Sequence, residues 1–135
     1  MIDVSRRQLR DAFNRHSAAA RSLISTDSQL LLLIYAAECG LKCICLAALN
    51  VHTTARLEED DRAEILHHDI DRLLSRVRAP SALRLGGCPD ANAAHVRSAD
   101  LHQALRYGIA LEPQNRQRVV ASVQEVIKWA DERMQ

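Results

Sequence analysis

Aromatic residues are scarce: Phe13, Tyr35, Tyr107 and Trp129 are the whole stock of a 135-residue chain. A protein that holds single-stranded nucleic acid by stacking successive bases on rings needs more of them, so that class is set aside. Excess charge is missing as well. Eighteen Lys and Arg against 17 Asp and Glu leave a net charge of +1, which excludes bulk attraction to polyanions and leaves any nucleic-acid contact to a local patch. No run alternates polar and apolar residues with period two, the signature of half-buried strands, and no internal repeat is visible. The opening MIDVSRRQLRDAF carries no apolar core behind its charges, so no secretory leader is expected there.

One long apolar run is present, LLLLIYAAECGLKCICLAAL from Leu30 to Leu49. Its length would suit a membrane span, but Glu38 and Lys42 lie near its middle. Each would cost roughly 2.5–3.5 kcal/mol at the centre of an inserted helix. With the glutamate four residues ahead of the lysine they share one helical face in the favourable order. No second run of similar length exists, so no membrane partner is expected; a helix apolar nearly all round then belongs in the middle of a bundle. Thr26, Asp27 and Ser28 supply N-cap candidates before it.

The rest also has helical spacing. Leu9, Phe13, Ala20, Leu23 and Ile24 mark an apolar face between Val4 and Ile24. Asp61–Glu64 opens a segment in which Leu66, Ile70, Leu73 and Val77 follow at intervals of four, three and four. A long loop is predicted over about 79–96, where two prolines and Gly86-Gly87 collect. A short helix is expected from about Ser98 to Arg106. Pro113 opens a last helix whose stripe is Val119, Val120, Val123, Ile127 and Ala130, with Trp129 assigned to the core. The fold class is therefore all-α, a single domain over 1–135 built as an up-and-down bundle of four or five helices.

Cys39 and Cys43 share a helix face, yet structural zinc sites draw their thiolates from tight turns with a second pair elsewhere. Buried free thiols, no metal and no cofactor are expected. Unpaired thiols suit a reducing, cytoplasmic compartment.

Three blocks in order, Ala36-Ala37-Glu38-Cys39-Gly40-Leu41-Lys42, His68-Asp69-Ile70 and Arg106-Tyr107, resemble HEPN domains (higher eukaryotes and prokaryotes nucleotide-binding) over about Leu30–Met134. The resemblance implies a helical bundle that commonly forms a homodimer. It also implies one of two roles. The first is a metal-independent endoribonuclease acting as a toxin or antiphage-defence effector, restrained by a neighbouring-gene partner or antitoxin. The second is a non-catalytic interaction or nucleotide-sensing subunit.

RNase members of that family share an Arg-x4–6-His pattern. Cleavage by 2′-OH attack needs a base, an acid and a cation for the phosphorane charge, and His with Arg can supply them. Arg10–His16, Arg62–His67, Arg62–His68 and Arg97–His102 all match. With 16 arginines and six histidines, chance alone gives about two matches, so the pattern by itself is weak. On a continuous helix a separation of five turns two side chains about 140° apart, and six about 120°. A site therefore needs a helix break between the partners or two copies facing each other. Arg62, His67, His68 and Asp69 are the catalytic candidates. The competing reading pairs Arg62 with the acids of EEDDR (58–62) and gives His68 a helix-end role. Lys42, Arg106 and Tyr107 are the phosphate or RNA-binding candidates. Against this, Glu38 with Lys42 reads as a structural ion pair, and Tyr107 as a packing residue.

Overall fold

The computed structural model describes residues 2–22 and 27–135; Leu23, Ile24 and Thr26 lie outside the described residues. Most of the described chain is helical. Six α-helices are described: α1 (Arg6–Arg21), α2 (Asp27–Ala48), α3 (Glu59–Ile65), α4 (Ile70–Arg76), α5 (Leu101–Arg106) and α6 (Pro113–Met134). Only one two-residue hairpin accompanies them, β1 (Cys88–Pro89) with β2 (His95–Val96), pairing Cys88 with Val96.

Helix α2 is the hub. It packs against α1, α6, α4 and α5, and Leu33, Ile34, Ala36 and Leu46 on its different sides are all buried. By length and composition it would cross a membrane, but most of it is inside the fold, as expected for a helix contacted on several sides. Gly40 lets α1 and α6 close on it together. A Cβ there would stand 2.9 Å from Phe13 Cδ1 and 3.2 Å from the Ala130 methyl. Helix α6 buries Val119, Val123, Val126 and Ala130, while Trp129 is only half-buried. The Arg133 guanidinium lies 4.9 Å from its ring centroid, so this indole caps the core edge rather than filling the interior.

Local chemistry sets the helix ends. Ser5 and Gln8 form a reciprocal capping box on α1, which satisfies two otherwise orphaned N–H groups. At the other ends of α2, α4 and α5 the chain reverses through left-handed residues, Asn50, Arg78 and Gly108. In each case the next amide reaches back to the helix: Val51 N to Leu46 O, Ala79 N to Leu74 O and Ile109 N to Ala104 O, at 2.8–3.0 Å. These are Schellman closures, which favour glycine at the reversing residue.

The periodicity from Leu66 to Val77 suggested one helix, but the chain breaks it between Ile65 and Ile70, which raises the helix count above four or five. The 79–96 loop also holds more order than its composition suggested. Asp71 accepts from the amides of Leu85 (2.6 Å) and Gly86 (2.9 Å). Arg118 of α6 donates to the carbonyls of Leu85 and Gly87. At the other end of the molecule, Val4 and Thr54 exchange hydrogen bonds and join the start of the chain to the turn after α2.

Candidate functional site

Steps of three and four along α2 align Tyr35, Glu38 and Lys42 on one side of the helix. Lys42 Nζ lies 3.6 Å from Glu38 Oε2, and both side chains are largely buried. The same carboxylate oxygen is 3.0 Å from Nδ1 of His68, thirty residues on. A carboxylate only accepts, so Nδ1 carries the proton and Nε2 is left as the basic nitrogen. The His68 side chain remains 53% exposed, hence reachable from solvent while its inner edge is anchored.

The break between α3 and α4 presents His68 in this way. His67 occupies both ring nitrogens locally: Nε2 donates to the Glu64 carbonyl at 2.6 Å, and Nδ1 accepts from the Asp69 amide at 3.1 Å. Burial is the main reason its pKa is lowered, outweighing the Glu64 carbonyl that raises it. Asp69 caps α4, accepting from the amides of Asp71 and Arg72. Its Oδ1 also accepts from Ser98 Oγ at 2.8 Å. That bond ties the turn entering α5 to the start of α4 and so fixes the second histidine.

His102 of α5 is that residue. It is buried, and its ring centroid is 4.3 Å from that of His68 with 35° between the planes. Burial lowers its pKa, and the neighbouring His68 adds to the effect, so the ring favours its neutral form. Glu38, His68 and His102 each offer a ligand atom, all within 4.8 Å of one another. Two buried polar atoms in this cluster, Glu38 Oε1 and His102 Nδ1, have no hydrogen-bond partner among the described residues. The Ala99 carbonyl is near enough to His102 to favour its protonated form slightly, but not in hydrogen-bonding geometry.

One turn further along α5, Arg106 Nη2 donates to the Tyr35 hydroxyl at 2.8 Å. The His16 ring of α1 lies 5.9 Å from Tyr35. Tyr107, expected to pack, is 71% exposed, because it caps α5 just before Gly108 turns the chain away. An exposed guanidinium and an exposed ring thus border a Glu–His–His cluster in which Glu38 and His102 are buried and His68 reaches solvent.

The structure brings Glu38, Lys42 and His68 together and sets Arg106 and Tyr107 nearby. Arg62 is elsewhere. Its Nη1 donates to the Thr54 carbonyl at 2.6 Å and to Asp3 Oδ1 at 3.3 Å, so it braces the N-terminal strap. The acids around it pair with α4 instead, Asp61 with Arg76 (2.9 Å) and Glu64 with Arg72 (3.1 Å). Arg97 is engaged by Asp100 at 2.8 Å. Tyr35 was not among the candidates read from the sequence, and His102 entered only through its match with Arg97, which pairs with Asp100 instead. The available signals were the four-residue step from His102 to Arg106 and the three-residue step from Tyr35 to Glu38.

The four thiols form no disulfide. Burial pushes Cys45 up to about 11 and raises Cys39 and Cys88 as well, so these behave as inert apolar groups. Compared with protein-family models, curated proteins and solved structures, the chain finds no match in any of the three.

Proposed function

We propose that this chain is a HEPN-like endoribonuclease that cleaves RNA without a metal by attack of the ribose 2′-OH. The observation that carries the reading is the Glu38–His68 contact: a buried carboxylate orients a solvent-accessible imidazole. Such a carboxylate fixes the tautomer and direction of the ring, as in hydrolase triads. His68 Nε2 takes the 2′-OH proton. Lys42 and Arg106 supply positive charge for the phosphate, and exposed Tyr107 offers one face to a base. His102 stacks on His68 too closely to flank a phosphorus atom from the opposite side. The proton for the leaving oxygen therefore comes from outside this pair, and in a homodimer the second copy provides it.

Expression of the chain alone should arrest growth, and His68→Ala should relieve the arrest while leaving the protein folded and abundant. Arrest that persists in His68→Ala would remove His68 from the mechanism. No growth effect and no RNA cleavage by the wild type would reject the enzyme.

A second reading has its own support. His67 and Asp69 are saturated by local hydrogen bonds, and Arg62 is committed to the N-terminal strap. A non-catalytic nucleotide-sensing or partner-binding subunit would need none of them free. It predicts nucleotide binding without turnover, lost in Arg106→Ala.

A further inference from the structure

We infer that Glu38, His68 and His102 form a binding site for one divalent first-row metal ion of the zinc type, with a coordination position left open. The donor set is two imidazoles and a carboxylate, which suits borderline ions and is incomplete as a closed structural site, where four protein ligands are usual. All three residues are held by different elements: α2 carries Glu38, the α3–α4 turn His68, and α5 His102. Their ligand atoms lie within 4.8 Å of one another. Bonds of roughly 2.0–2.2 Å place tetrahedral ligands about 3.3–3.6 Å apart, so a gap of 4.8 Å must close by about 1.2–1.5 Å. The His68 ring, half exposed, has room to make that movement.

Two buried atoms of the cluster, Glu38 Oε1 and His102 Nδ1, have no hydrogen-bond partner among the described residues. Buried polar groups are nearly always satisfied, and an ion is one of the standard explanations when they are not. His102 is 5% exposed and Glu38 4% exposed, so bulk water is a poor substitute. Lys42, at 3.6 Å from Glu38 Oε2, opposes the ion. Its charge should hold affinity below that of a cluster without it.

The site does not depend on the RNase reading. If the chain does cleave RNA, the ion engages the His68 imidazole that the reaction needs, and zinc should inhibit. If it does not, binding is unaffected.

The test is calorimetric titration of the purified full chain with Zn²⁺, beside the absorption spectrum of the Co²⁺ complex. About one equivalent should bind, because three converging side chains define a single position. Co²⁺ should give ligand-field bands without the thiolate charge-transfer band that cysteine ligation would add. His68→Ala with His102→Ala should abolish the site. Glu38→Gln should weaken binding by roughly 10–100-fold or more, since loss of even an outer-shell partner of a metal ligand costs that much. Lys42→Gln should tighten it. Absence of binding to the wild type would overturn the inference. So would binding that survives the double histidine change, or a Co²⁺ spectrum dominated by thiolate. The wild-type spectrum stands even if a variant fails to fold.

Discussion

Replacing Lys42 with Met removes one of the two groups that hold the Glu38 carboxylate. Glu38 is 4% exposed, and its Oε2 contacts only Lys42 Nζ at 3.6 Å and His68 Nδ1 at 3.0 Å. Breaking a buried ion pair by deleting one partner commonly costs about 3–5 kcal/mol, because the other charge is stranded. Here His68 remains as a donor and Lys42 itself is not completely enclosed, so the lower end applies, about 3 kcal/mol. For a chain of 135 residues the unfolding entropy near the midpoint makes that a fall of about 10 °C in Tm. Glu38→Gln added to Lys42→Met should recover most of the loss, since a neutral amide has no charge to strand. The assay is thermal unfolding followed by circular dichroism, with urea titration as a check that the m-value is unchanged. A single variant that melts within about 2 °C of the wild type, a change of under roughly 0.6 kcal/mol, would refute the reasoning. It would show that water reaches Glu38 freely. A double variant no better than the single would show that packing, not charge, holds the pair.

Other residues give sharper local tests. Arg62→Ala should cost about 1.5 kcal/mol, the lower end for hydrogen bonds to a charged group, because the partly exposed Arg62 braces Thr54 and Asp3. Hydrogen exchange should then quicken at the Val4 and Thr54 amides, and unchanged protection there would contradict the strap assignment. Arg78→Gly should stabilise by about 0.5–1 kcal/mol, since Arg78 is an exposed residue held at φ 56° in a position that favours glycine. A loss of stability on urea titration would mean that the Arg78 side chain contributes something the geometry does not reveal.

Much of the helical framework was legible because it depends on local rules. The apolar run of α2, the Pro113 start of α6 and the Gly108 stop of α5 each follow from residue chemistry at short range. The Glu38–Lys42 contact was legible for the same reason, being one turn of one helix. The break between α3 and α4 was missed because Leu66, Ile70, Leu73 and Val77 keep helical spacing across it. His67 and Asp69 override that pattern with bonds to Glu64, Asp71, Arg72 and Ser98. The signal was Asp69 directly ahead of Ile70, an N-cap residue before a segment of helical apolar spacing. The small hairpin at Cys88–Val96 escaped because two-residue strands have no periodicity to show. His102 joins His68 only through the docking of α5 on α2 and the Ser98–Asp69 bond, so no spacing rule announces their contact. The helix break that an Arg62–His68 site would require does occur, yet it sends the two side chains to different neighbours: Arg62 to Thr54 and His68 to Glu38.

The central claim is that His68, oriented by Glu38, removes a proton from a ribose 2′-OH. End-group analysis of RNA incubated with purified protein in the presence of EDTA tests it most directly. The account predicts fragments ending in 2′,3′-cyclic phosphate and beginning with 5′-hydroxyl. It also predicts that His68→Ala slows their formation by roughly 10²–10⁴-fold, the usual contribution of a general base, at a temperature where circular dichroism shows the variant, which has lost one of the two partners of Glu38, to be folded. Intact RNA after incubation with the wild type, or equal cleavage by wild type and His68→Ala, would contradict it.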